Sequence, residues 1–369
     1  MKTVCDKGQC CGCMACVDIC PKNAIQIEDR LLEYDAVIDE NECVECNLCH
    51  KICHVNNLPQ FKKPIFWRQG WANCEKQREK SSSGGVASAI EKAFIKGGGI
   101  VCSCVFKNGD FKFEIAETME EQEKFVGSKY VKSNPSGCYE SIKNNLEKGK
   151  MVLFVGLPCQ VAAIKNYIKP ALKENLYTID LICHGTPSKK ILDKFLNQYN
   201  TKLSDLNTVE FRIGNRYKLC KDGKEIGLQG CIDKYSMSFL NSLIQTENCY
   251  SCAYAKTERV SDITLGDSWG SKLPILEQKK GISLILCQDE KGKKLLEKAD
   301  ICLVDVDIEN AIKNNKQLNG ASIKSVKRER FFKLITKNKM NIAVSICYPK
   351  QSIKRLIKAI LIKIRIIRV

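Results

Sequence analysis

Two runs of four cysteines with one shared spacing constrain this chain more than any other feature. Cys10, Cys13, Cys16 and Cys20 follow C-x2-C-x2-C-x3-C, with Pro21 behind them. Cys43, Cys46, Cys49 and Cys53 repeat the spacing, with His54 where the proline would stand. A 4Fe-4S cluster offers one iron to each of four thiolates. Three cysteines two residues apart wrap one cube in a tight loop, and the fourth lies too far round and serves the neighbouring cube. The spacing therefore assigns Cys10, Cys13, Cys16 and Cys53 to one cluster, and Cys20, Cys43, Cys46 and Cys49 to the other. Zinc sites also use four ligands and C-x2-C pairs, but they do not require two identical runs of four. Ile25 and Ile27, and Val37 and Ile38, are expected in small strands that cover the clusters. Cys5 and Cys11 are left over as non-ligands.

The rest of the composition agrees with metal. The chain has 369 residues and 23 cysteines, ten of them within the first 60 residues. At about 150 residues per domain it is long enough for two to three domains and can bury a core without covalent staples. Its first twenty residues are polar and cysteine-rich rather than an apolar secretory run. A disulfide framework thus lacks its usual context, and a reducing, cytoplasmic location is expected. No apolar run of about 18 residues predicts a membrane span. The formal charge is +17, yet residues 321–369 hold nine Lys and five Arg against Glu329 alone, so the main body is nearly neutral. Charge confined to a tail, without a basic motif interleaved with aromatics, argues against nucleic-acid binding.

Residues 1–58 thus form an α+β ferredoxin-like module, and the remainder reads as a larger α/β body. Residues 59–70, with Pro59, Pro64 and three basic residues, are expected as a linker. Ser81-Ser82-Ser83-Gly84-Gly85 opens a helix whose Val86, Ile90, Ala93 and Phe94 share a face, and Gly97-Gly98-Gly99 stops it. A Ser/Gly loop at a helix start exposes free amides and suits a phosphate, although a plain N-cap reads the same way. Ile100 to Phe106, Met151 to Val155 and Leu176 to Ile182 read as buried strands. The last two end in loops bearing Cys159 and Cys183, with helices expected from about Val161 and beyond Pro187. Ligands in such sheets sit at the carboxyl ends of strands. Cys249 and Cys252 supply one further C-x2-C. Two lone loop cysteines and this pair make four thiolates, although buried packing cysteines are the plainer alternative.

The segments Ser82–Val86, Gly156–Gln160, Cys183–Pro187, Cys249–Cys252 and Asp262–Gly270 occur in one order. In that order they resemble the beta subunit of coenzyme F(420)-reducing hydrogenase and its relatives, over roughly residues 70–320. Those relatives include formate dehydrogenase beta subunits and a ferredoxin-dependent chlorophyll reductase. The resemblance implies an iron–sulfur flavoprotein with FAD in the α/β body. Residues 71–150 would be the N-terminal part of that body, and 151–330 the C-terminal part with the further cluster motifs. It implies a third 4Fe-4S cluster on Cys159, Cys183, Cys249 and Cys252. It also implies FAD contacts from Ser82, Ser83, Gly84, Gly85, Lys129, Tyr130 and Ser133. His184, beside a ligand candidate, is a candidate proton donor.

These readings make an oxidoreductase that passes electrons from a ferredoxin-type donor, or a deazaflavin coenzyme, through clusters to FAD and an organic substrate. The alternative is a non-catalytic electron-transfer subunit of a larger complex. A ferredoxin or another redox protein is the expected partner. The substrate is expected to be a small molecule or, by resemblance to proteins encoded among cell-surface polysaccharide genes, a sugar or glycolipid. Residues 331–369 are expected as a basic amphipathic tail. In a helix started by Pro349, Lys354, Lys358, Arg365 and Arg368 cluster on one side. Ile353, Leu356, Ile357, Ile360, Ile364 and Ile367 fall opposite. Such a helix can lie on an anionic membrane surface, here the inner face.

Overall fold

The computed structural model describes residues 2–214 and 216–367. The N-terminal module holds β1 (Lys2–Thr3), α1 (Ala15–Ile19), β2 (Ile25–Asp29), β3 (Tyr34–Ile38) and α2 (Leu48–Ile52). Its strands pair antiparallel in the order β1-β3-β2, so both apolar segments beside the cysteine runs are strands, as expected. The sequence repeat is also a backbone repeat. Gly12 and Met14 in the first run, and Glu45 and Asn47 in the second, all have positive φ. Met14 and Asn47 are the equivalent caps of α1 and α2. Alternating left-handed residues turn successive amides towards one centre, the arrangement that suits an anionic group. Equivalent amides meet sulfur at equal distance: Gly12 N donates to Cys10 Sγ and Glu45 N to Cys43 Sγ, both at 3.4 Å.

The body is built on β4 (Phe66–Ala72), β5 (Ile100–Lys107), β6 (Asp110–Ala116), β7 (Val152–Gly156) and β8 (Leu176–Leu181). A small antiparallel unit follows: β9 (Val209–Ile213), β10 (Arg216–Lys221) and β11 (Lys224–Glu225). Then β12 (Ile263–Asp267), β13 (Ser283–Cys287) and β14 (Ile301–Val304) complete an eight-stranded sheet of order β14-β4-β13-β12-β8-β7-β5-β6. Its centre, β12-β8-β7-β5, is parallel, and both flanks are antiparallel. One face carries α3 (Val86–Lys96), whose Val86, Ile90 and Phe94 are buried against β5, β7 and β8. The other carries α4 (Cys138–Glu147) and α5 (Pro158–Tyr167). Layers on both faces of a partly parallel sheet are the α/β architecture that the strand–loop–helix pattern implied.

Three expectations need correction. The supposed linker contains β4, which lies inside the sheet between β14 and β13; Trp67, Gln69 and Ala72 are buried there, while the prolines and basic residues mark only its approach. The helix after β7 starts at Pro158, not Val161, because proline is accommodated at a first helical position. Residues 331–348 are not a tail. Together with α6 (Lys189–Asn197) and α7 (Lys234–Leu240), the helices α8 (Arg328–Lys337) and α9 (Met340–Cys347) bury Phe331, Ile335, Met340 and Val344 in one core. Only α10 (Pro349–Lys363) has no buried residue. Arg368, which belongs to the expected basic stripe, and Val369 lie outside the described residues.

One ion pair ties the pieces together. Arg259 is buried and donates to Asp180 Oδ1 at 3.1 Å, at the end of β8. It also donates to the carbonyls of Leu181 and Tyr254, and its backbone exchanges two hydrogen bonds with Lys62. Arg259→Met leaves the Asp180 charge buried and alone. It is expected to cost about 3–5 kcal/mol, read as a fall in the urea midpoint under anaerobic conditions.

Candidate functional site

The module's thiols gather as the spacing requires. Cys20, Cys43, Cys46 and Cys49 line one small cavity with Pro21, Ile25 and Ile38. Cys16 lies beside Cys10 and Cys53, and Cys13 beside Cys16 and Cys10. Cys53 has therefore crossed to the first run and Cys20 to the second. Cys5, set aside as a non-ligand, comes within hydrogen-bonding reach of both Cys10 and Cys53.

A second thiol group forms at the carboxyl ends of the parallel strands. Cys159 stands in the first turn of α5, directly after β7, and Cys183 follows β8. Cys249 and Cys252 come from a 3-10 turn and its exit. All four line one cavity of about 180 Å³. Gly185 N donates to Cys183 Sγ at 3.3 Å and Thr186 N to Cys249 Sγ at 3.4 Å. Burial pushes the Cys252 thiol up to about 12 and raises Cys183 further. Thiols held neutral in this way release protons when a metal binds.

The wall of this cavity holds residues that spacing alone did not single out. Lys132 is fully buried, yet its ammonium meets no carboxylate at ion-pair distance among the described residues. It donates to Cys11 O at 2.9 Å and faces the Tyr34 ring at 5.4 Å. A buried ammonium without an anion is costly. The nearby groups that favour its charge are led by Cys249 and Cys159, followed by Cys11 and Tyr34, so this cavity suits an anionic, thiolate-bound group. Cys11 points in from the module: its Sγ is 3.0 Å from His54 Nε2, and His54 Nδ1 is 2.8 Å from the Tyr254 hydroxyl. Cys11, Cys13 and His54 could together hold a metal ion. The histidine in the proline position thus joins the module's thiols to the second group. Its one visible signal was the broken repeat.

A larger cavity of about 580 Å³ adjoins the first and shares Leu157, Cys183, Gly185, Thr186 and Gln317 with it. Ser82, Ser83, Gly85, Lys129, Tyr130, Ser133 and His184 line it. Gly84 does not. A Cβ there would lie 2.4 Å from Gly70 O and 2.7 Å from Ser283 N, so glycine lets the loop press against β4 and β13. Gly85, at φ 82°, caps α3. Ser82 Oγ accepts from Ser128 N at 2.9 Å, which ties the two loops. Lys129 is buried and donates to Phe125 O at 2.7 Å. Tyr130 stacks on Phe239 at 4.8 Å, and Ser133 accepts from Gln160 Nε2 at 3.0 Å.

His184 has both ring nitrogens engaged. Gln317 Nε2 donates to Nδ1 at 2.7 Å, which leaves the ring proton on Nε2, 3.3 Å from Ser242 Oγ. Burial lowers its pKa, so the ring is neutral at pH 7. At the far side of the cavity, Arg212 pairs with Asp267 at 2.8 Å between the rings of Tyr217 and Trp269. Asp267 and Trp269 fall in the Asp262–Gly270 motif, whereas Arg212 carried no sequence signal.

Glu91 lies on the cavity's edge. Burial raises its pKa from 4.5 to about 7, against the opposing pull of Gln122, Lys129 and Lys92. A raised carboxyl contributes stability that is fully present below 4.5 and lost as pH rises through about 7. Ionising it in the folded state therefore costs about 3 kcal/mol. Glu91→Gln should flatten the stability-versus-pH curve across that window in urea titrations. A slope equal to the parent's would show that Glu91 does not titrate there.

Residues 149–309 match the family model for the C terminus of the coenzyme F(420) hydrogenase/dehydrogenase beta subunit. Residues 9–57 match the 4Fe-4S dicluster domain. No curated protein matches the chain. Among solved structures, a chain of the xenon-derivatised F(420)-reducing NiFe hydrogenase complex from Methanosarcina barkeri is similar, with 18% identity and a TM-score of 0.49. That alignment covers 70% of this chain and 96% of the other. By its two domain matches, the chain belongs to the coenzyme F(420) hydrogenase/dehydrogenase beta subunit family and carries an N-terminal 4Fe-4S dicluster domain.

Proposed function

We propose that this chain is an iron–sulfur flavoprotein oxidoreductase. It moves electrons between a ferredoxin-type donor, or a deazaflavin coenzyme, and an organic substrate. The observation that carries this reading is the contact between two cavities. One is lined by Cys159, Cys183, Cys249 and Cys252, and the other is large and open to solvent. Ligands for two 4Fe-4S clusters come from the crossed cysteine runs, and for a third from these four thiols. Lys132 supplies the counter-charge. FAD is assigned to the larger cavity, whose volume suits a cofactor-sized ligand. When bound there, a flavin supplies the exchange between one-electron and two-electron chemistry.

The chain's own residues do the positioning. Ser82, Ser83 and the α3 N-terminus present hydroxyls and amides to phosphate. Tyr130 offers a ring face, while Arg212 with Tyr217 and Trp269 closes the opposite end. His184 keeps its proton on Nε2 and is the candidate donor within reach of this cavity. A conduit that merely passed electrons on would have no need of the larger cavity, which favours the enzyme reading. The exposed isoleucines of α10 and its cations support peripheral contact with an anionic membrane.

Anaerobically purified protein is expected to hold about 12 irons, four for each of three clusters. Cys159→Ala should lower that to about 8 and slow flavin reduction by an artificial one-electron donor, with the module's clusters intact. Unchanged iron in the variant would remove Cys159 from the ligands, and 8 irons in the parent would remove the third cluster.

A further inference from the structure

A third cavity, of about 730 Å³, runs beneath the terminal helix α10. Its opposite walls are β10, the loop at residues 230–232 and α7. Arg355 holds the helix in place: its Nε donates to Ile232 O, and its carbonyl accepts from Cys231 Sγ at 3.6 Å. Gln351 pairs with Asn241 at the helix start. The groove is therefore a built gap between anchored elements.

Its lining has two halves. Ile232, Met237, Leu240, Ile357, Leu361 and Ile367 make an apolar floor. Five cations, Arg216, Lys218, Lys354, Arg355 and Lys358, line it against a single carboxylate, Glu225. Glu225 is already paired with Lys218 at 3.4 Å. Lys218 is further occupied by three carbonyls, and Arg355 by Ile232. Arg216, Lys354 and Lys358 are left on exposed positions at the rim. An apolar trough with uncompensated cations at its mouth complements a molecule with a hydrocarbon chain and an anionic head. The groove is also joined to the larger cavity, since Tyr217 and Leu240 line both.

We propose that this groove binds a long-chain lipid phosphate, with its chain under α10 and its phosphate at Arg216, Lys354 and Lys358. The junction at Tyr217 and Leu240 then makes a lipid-linked molecule the substrate class that reaches the larger cavity. That last step rests on the proposed function, whereas the binding site itself does not.

Calorimetry on the intact, anaerobically purified chain tests the site, with dodecyl phosphate below its micelle concentration as the probe. Inorganic phosphate and dodecyl maltoside separate head from chain. The expected result is one molecule bound per chain, at least tenfold tighter than either control. Lys354→Glu with Lys358→Glu should weaken binding tenfold or more, and so should Leu361→Glu. Iron content and circular dichroism identify any variant that has failed to fold. Chain truncation at Tyr348 offers a second route to the same loss, because α10 contributes no buried residue. Equal affinity for inorganic phosphate or for dodecyl maltoside would overturn the proposal. So would variants that bind like the parent, or sedimentation with phosphatidylglycerol vesicles without binding of the monomeric probe. Tight lipid binding by a chain with no flavin would leave the site standing and sink the proposed function alone.

Discussion

The buried Arg259–Asp180 pair is the constraint on which the site depends. Taking two charges out of water is unfavourable unless each finds further partners. Arg259 finds them in the carbonyls of Leu181, Tyr254 and Lys256, so one guanidinium fixes the end of β8 against the loop that follows Cys252. Cys183 lies just beyond Leu181, and Cys252 lies two residues before Tyr254. The ion pair thereby sets the spacing of two thiols that are far apart in the chain. Its backbone bridge to Lys62 brings the approach to β4 into the same knot.

Docking of the N-terminal module follows the same logic of satisfying polar groups that burial would strand. Tyr139 donates to Cys13 O at 2.7 Å and Lys132 to Cys11 O at 2.9 Å. Asp18 accepts from Gly137 N at 2.9 Å, at the start of α4, where a carboxylate is favoured by the helix dipole. Ala15 and Ile52 enter the core formed by α4 and α5. The first cysteine run is thus held against the body by its carbonyls, while its sulfurs stay free for iron. Cys11, His54 and Tyr254 then form a continuous set of contacts between the module and the second thiol group.

The parallel centre of the sheet explains why the cavities adjoin. β7, β8 and β12 run in register, so their carboxyl ends emerge at one edge. Cys159, Cys183 and the Asp267–Trp269 turn are the first residues beyond those ends. Helices α8 and α9 pack behind the β9–β11 unit and hold it beside this edge. That packing brings Arg212 and Tyr217 to the mouth of the larger cavity and leaves α10 spanning the groove beside it.

Much of this was legible in the chain itself. The cysteine runs carry their own geometry, because ligand spacing and alternating left-handed residues are local properties of a short segment. Strands β5, β7 and β8 were readable because fully buried strands are continuous apolar runs. What the tertiary structure decided was everything that depends on distant neighbours. β4 was hidden behind Pro59 and Pro64, since its place in the sheet comes from pairing with β13 and β14. Residues 331–348 looked like a basic tail because their buried face is only half of each helix. Gly84 resembled a phosphate loop glycine, and only the approach of Gly70 and Ser283 gives its reason. Lys132 reads as any surface lysine until the fold removes it from water and surrounds it with thiols. A side chain's charge is written in the sequence, but its solvent and its partners are set by burial.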